Sequence, residues 1–151
     1  MKFVDNEHRK FFESIVQKTG AADDNNRQAM FYVLGMLPDT RRRINELYDF
    51  EKNSYKLDAL KKPWQTSGSL RATRMAFNLY NGFDGRVGSR KIDDPAKYTP
   101  FRLFDYNNAD YFLEAIRLLT GVYRNQMLAL ASDKDTSLKP KLSVARTDLE
   151  R

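Results

Sequence analysis

Along this chain the hydrophobic residues recur three and four apart, the period of a helix that lays one face on a core. The first such stripe is Phe11, Phe12, Ile15 and Val16 with His8, opened by Asp5 or Asn6 as a cap and stopped by Gly20. A turn rich in capping residues follows at 21–26, and Met30, Phe31, Val33, Leu34 and Leu37 then mark a second helix over 27–37 that Pro38 closes. Asp39 or Thr40 caps a third, with Ile44, Leu47 and Tyr48 facing inward and Arg41, Arg42 and Arg43 in its first turns. Arginines at that end oppose the helix dipole, which calls for carboxylate partners or an anionic ligand. From 51 to 62 the pattern thins to a connector, ended by Pro63.

Two stretches are apolar round most of the helix. Start and stop signals agree best over 64–82, where Thr66, Ser67 or Ser69 caps a helix and Gly82 ends it. At about 100° per residue, Leu70, Ala72, Met75, Ala76, Phe77, Leu79 and Tyr80 cover most of the circumference and leave Arg71, Arg74, Asn78 and Asn81 as a narrow polar seam. The spacing predicts a central helix over 69–81, with Trp64 plugging the core beside it. A second rod, Ala109 to Leu119, carries Phe112, Leu113, Ala115, Ile116, Leu118 and Leu119 against a polar wedge of Asp110, Glu114 and Arg117. Two such rods belong side by side in the interior. Arg71 or Arg74 is therefore expected to pair with Asp110 or Glu114, because a buried guanidinium without a carboxylate is costly.

The segment 83–98 holds Gly85 and Gly88 among Arg86, Arg90, Lys91 and Lys97 and reads as a surface loop. Its glycines do not make a phosphate-cradling motif, since no strand precedes them and no Lys-Ser/Thr pair follows. Thr99-Pro100 restarts a helix, Asp105-Tyr106-Asn107-Asn108 interrupts it, and a last short helix runs from Val122 to about Ala131. The expected fold is a single all-α domain of about five to seven helices over residues 1–131, with a flexible tail at 132–151.

Charge changes this picture little. Lys and Arg number 26 against 20 acids, a net charge of +6, and the basic residues are scattered among acidic ones. That bias favours an anionic partner at long range without drawing a nucleic-acid footprint. No stretch has the length and apolarity of a membrane span, and the N-terminus turns charged at once, so a cytoplasmic protein is expected. With no cysteine and one histidine, thiolate, Cys-His and Ser-His chemistry is largely excluded. His8 sits on an apolar face and reads as a core residue. Asp110 and Glu114 stand four apart, as any two acids sharing a helix face do, so neither metal, cofactor nor enzyme activity is expected.

Several motifs carry a resemblance. Pro38-Asp39-Thr40-Arg41, Trp64-Gln65-Thr66-Ser67-Gly68 leading to Arg71 and Arg74, Ala76-Phe77-Asn78-Leu79-Tyr80-Asn81-Gly82, Thr99-Pro100 with Leu103-Phe104, and Tyr111-Phe112-Leu113-Glu114-Ala115-Ile116-Arg117 together resemble an uncharacterised family of small proteins. Its members occur in Gram-positive bacteria, their phages and mobile elements. The resemblance implies a cytoplasmic accessory protein that works by stoichiometric binding. It carries no catalytic activity with it.

The reading that follows is a non-enzymatic inhibitor or adaptor that engages a host or defence protein. Exposed aromatic and arginine side chains suit such a surface, and those on turns and polar faces are Arg41, Arg42, Tyr48, Tyr55, Tyr98 and Tyr106. The alternative is nucleic-acid binding through Arg41 to Arg43 and the basic loop carrying Arg86, Arg90 and Lys91. A third reading lets the seam of Arg71, Arg74, Asn78 and Asn81 hold a small anion, which requires a concave cationic pocket that no carboxylate fills. Apolar positions are numerous enough for a homodimer.

Overall fold

Every residue from Gln28 to Leu34 is shut off from solvent, and the other elements are arranged about this run. The computed structural model describes the backbone of residues 1–138 and the side chains of residues 1–132. The buried run belongs to α2 (Asn25–Leu34), which Asp24 caps by accepting from the Arg27 amide. Being apolar on all sides, it needs cover on all sides. Helix α1 (Asn6–Thr19) supplies part of that cover through Phe12, Ile15 and Val16. The long helices α5 (Ser67–Asn81) and α7 (Ala109–Leu119) supply the rest, each packed on α2 far more than on the other.

This arrangement corrects the expected pairing of two central rods. Helices α5 and α7 meet mainly through α2, and α7 is amphipathic, with Leu113 half exposed and its buried face reduced to Phe112, Glu114, Ala115 and Leu118. The caps of α5 fall where the sequence put them. Thr66 accepts from the Ser69 amide at 3.1 Å, Ser69 Oγ accepts from the Thr66 amide at 2.8 Å, and Gly82 ends the helix.

The expected third helix is broken into two single turns, α3 (Pro38–Arg42) and α4 (Ile44–Leu47). Thr40 does not cap it. Its buried hydroxyl donates to the Leu34 carbonyl at 2.6 Å and so closes the end of α2. The connector after it contains a two-stranded hairpin, β1 (Tyr48–Asp49) with β2 (Ser54–Tyr55), and a 3-10 turn at Leu57–Lys61. Trp64 is half-buried at the rim, its indole donating to Glu46 at 3.3 Å, and does not plug the core.

The glycine loop is ordered as a second hairpin, β3 (Arg86–Val87) with β4 (Arg90–Lys91). Gly85 sits at its base with φ of 95°, and a Cβ there would lie 2.5 Å from the Asp93 carbonyl oxygen. Its own carbonyl accepts from the Ile92 and Asp93 amides, which fixes where Asp93 stands. A 3-10 turn at Pro95–Tyr98 and the single-turn α6 (Pro100–Leu103) lead to α7. Helix α8 (Arg124–Leu138) runs past the expected end at Ala131, and residues 139–151 of the expected tail lie outside the described residues. Among the described residues the fold is all-α with eight helices and two small hairpins.

Candidate functional site

The polar seam of α5 finds acids other than the expected ones. Arg74 donates through Nε to Asp93 Oδ2 at 2.8 Å, and Arg71 donates through Nη1 to Asp105 Oδ2 at 2.9 Å. Asp110 instead meets Lys2 at 3.2 Å on the surface, and Glu114 meets Arg117 at 3.5 Å on its own helix. Helices α5 and α7 each pack mainly on α2 and touch each other little, and the α7 acids meet nearer cations, Lys2 and Arg117. The two asparagines brace the helix end: Asn78 donates to the Phe83 carbonyl and Asn81 accepts from the Tyr55 hydroxyl.

Both new acids come from stretches that read as interruptions. Asp105 opens a loop in which its Oδ1 accepts from the Asn107 and Asn108 amides while Asn108 Oδ1 accepts from the Asp105 amide. These reciprocal side-chain to backbone bonds leave Oδ2 aimed at Arg71. Asp93 also accepts from the Tyr98 hydroxyl at 2.7 Å. Burial works to raise the Asp93 carboxyl, but hydrogen bonds from Arg74 and Tyr98 outweigh it and hold the group below its ordinary value. Tyr98 is raised by burial and by that same bond.

Two recesses open beside the first turn of α5. The larger, of about 360 Å³, has an apolar floor of Val4, Met36, Leu37, Ala72 and Phe112 and a rim that includes Gly68, Asp105 and Asn108. The smaller, of about 160 Å³, is walled by Arg71, Arg74, Lys97 and Arg102 with Ser67 and Leu70. Arg71 and Ser67 line both. The two most exposed large hydrophobic side chains among the described residues stand beside them in the chain: Phe101, 90% exposed, precedes Arg102, and Tyr106, 99% exposed, follows Asp105. Phe101 was not legible as a surface residue, because it stands at a helical spacing, three apart, from Phe104.

The remaining candidates scatter. Tyr48 and Tyr98 are buried, which removes them from a docking surface, and Tyr55 stacks on Phe77 with ring centroids 4.2 Å apart. Arg41 is largely covered, donates to the Gly35 carbonyl at 2.9 Å and lies 3.8 Å from Asp5. Arg42 pairs with Asp39, and Arg43 pairs with Glu46 at 3.2 Å beneath the Trp64 ring. Carboxylate partners thus answer the dipole conflict, and the three arginines are no free cationic patch. Arg86, Arg90 and Lys91 are exposed on the second hairpin, with Arg86 3.6 Å from Asp84.

Away from the recesses, His8 is fully buried. The Val4 amide donates to its Nδ1 at 3.1 Å, so the proton sits on Nε2, which donates to the Tyr32 carbonyl at 2.7 Å. Glu114, 3% exposed, has one oxygen with no hydrogen-bond partner among the described residues. The described residues bring no three His, Asp or Glu side chains together as a metal site, and none of their helices is long and apolar enough to cross a membrane.

What these elements define is a small helical domain with a paired apolar and cationic recess at one helix start. The chain belongs to the family of unknown function DUF6075, whose model matches residues 1–132. No curated protein and no solved structure matches it.

Proposed function

We propose that this is a non-enzymatic binding protein that engages an acidic segment of a partner protein, seating one apolar side chain of that segment in the 360 Å³ recess. The observation that supports it most is the setting of that recess. It has the volume of an ordinary ligand site, above about 300 Å³, it shares Arg71 with the cationic recess, and the bare rings of Tyr106 and Phe101 are chain neighbours of the recess residues Asp105 and Arg102. Aromatic anchors around an apolar depression are the usual centre of a protein interface. The cationic flank and the net charge of +6 select an acidic occupant. In the phage and mobile-element setting that the sequence resemblance implies, the partner is a host or defence protein and the mode is stoichiometric inhibition or adaptation.

Selection from a random peptide library tests this reading. Binders should carry an apolar anchor among acidic residues. They should lose about tenfold or more in affinity to Gly68→Leu, whose Cβ points into open space with only Thr66 Oγ1 at 3.9 Å, and to Tyr106→Ala. Binders indifferent to both variants would remove the proposal. Self-association that the same variants abolish would make a second copy of the chain the occupant.

A second reading, nucleic-acid binding, is supported by the exposed Arg86, Arg90 and Lys91 on the β3–β4 hairpin. Its signature is salt dependence: phosphate contacts make affinity fall steeply with ionic strength, and a flat response dismisses them.

A further inference from the structure

We infer that the smaller recess is a binding site for a phosphate group. Its 160 Å³ is about half of what a whole small ligand needs, so it suits a head group. Its walls carry Arg71, Arg74, Lys97 and Arg102 and no carboxylate. The acids that hold the two α5 arginines, Asp93 and Asp105, are not part of the lining, and Lys97 and Arg102 have no acidic partner within 4.0 Å among the described residues. Four cations against two carboxylates leave two positive charges over, which matches a doubly charged oxyanion.

The donors are also held in place before any ligand arrives. Arg74 is 12% exposed and fixed through two nitrogens by Asp93, which Tyr98 and the Gly85 turn fix in their own turn. Arg71 uses only Nη1 on Asp105, so its other nitrogens remain for a ligand, and Arg side chains present such donors in the planar fork that phosphate oxygens accept. Ser67 starts a helix of 15 residues at the recess, and its backbone N–H has no acceptor among the described residues, so the positive end of the dipole adds to the same field. Preorganised charge of this kind binds without the cost of ordering long side chains.

The site does not rest on the partner reading, since it uses the cationic walls and not the apolar floor next door. Titration with inorganic phosphate and with phenyl phosphate at pH about 8, where the group is doubly charged, against chloride at equal ionic strength, tests it. Saturable binding is expected. It should weaken about tenfold or more in the double variant Lys97→Gln, Arg102→Gln, whose melting temperature in chloride should match the parent because both side chains are unpaired. It should persist in Gly68→Leu, which blocks the other recess. Tighter binding of phenyl phosphate identifies a phosphorylated side chain as the source, and equal binding identifies a free phosphate. A response that chloride reproduces, or that the double variant retains, overturns the inference.

Discussion

Arg71 Nη1 and Asp105 Oδ2 lie 2.9 Å apart at the boundary between the apolar and the cationic recess, each side chain a little over one-third exposed. At that exposure the pair contributes at most about 1 kcal/mol to stability, so its larger effect is on the local potential. Asp105→Asn keeps the oxygen that organises the 105–108 loop and removes the charge. Melting should change little. Phosphate affinity should rise by up to about tenfold, the scale of one unit charge removed at about 6 Å from a doubly charged ion in water, and calorimetry of the two proteins decides it.

The neighbouring Arg74 and Asp93 pair is 12% and 16% exposed, and its loss is a different matter. Arg74→Ala leaves a carboxylate covered and uncompensated, which should cost about 3 kcal/mol in urea unfolding. Tyr98→Phe should cost about 1 kcal/mol. Because Asp93 is held below its ordinary value, this stabilisation is present above pH 3.8 and is lost as pH falls through the lower folded value. An Arg74→Ala protein as stable as the parent would show that the pair is solvated after all.

Burial lowers the His8 imidazole from 6.5 to about 4, with Arg41 acting in the same direction and the Tyr32 carbonyl and Asp5 opposing. Below pH 6.5 the unfolded chain therefore binds a proton that the folded protein refuses. Stability should fall by about 1.4 kcal/mol per pH unit down to about 4, or about 3 kcal/mol in all. Between pH 6.5 and 5, above the carboxylate range, this slope belongs to His8, and His8→Asn should flatten it.

Glu114 places a covered carboxylate against the rings at the start of α8. Interaction with it pushes the Tyr123 phenol above 10.0, burial adding to the effect, and its charge adds to the burial that raises Tyr32. Glu114→Gln removes a charge that has one oxygen unmatched. It should leave stability unchanged or raise it by about 1 kcal/mol, and ultraviolet titration should show Tyr123 moving back toward 10.0. A clear loss of stability would mean that Glu114 is better satisfied than its neighbours indicate.

Close approach, not backbone strain, explains Gly35, which follows α2 at φ −83°. A Cβ there would sit 2.5 Å from Phe11 Cδ1 and 3.0 Å from His8 Cδ2. Gly35→Ala should cost about 1–3 kcal/mol by forcing α1 off α2, measurable as a lower melting temperature.

The helical class and the bounds of α5 and α7 were legible because caps and apolar periods are local signals, as at Thr66, Ser69 and Gly82. What stayed hidden was the order of packing. Helix α2 is apolar on every side from Ala29 to Leu34 and so carries no face there that a periodicity can point with, while the two rods with polar wedges looked central. Because α5 and α7 each pack mainly on α2, Arg71 and Arg74 find their acids elsewhere, in loops whose geometry comes from side-chain to backbone bonds at Asp105 and Asn108 and from backbone bonds to the Gly85 carbonyl. Helical spacing says nothing of such bonds. The same blindness hid Lys97 and Arg102, which reach the recess only because the 3-10 turn at Pro95–Tyr98 and α6 fold back on α5.

The enclosed run of α2 from Gln28 to Leu34 has no way to open on its own. The amide protons of residues 28–34 should exchange with solvent only when the whole molecule comes apart. Deuterium retained on that short stretch is therefore a built-in gauge of global unfolding, one that reads the same quantity whichever recess a substitution alters.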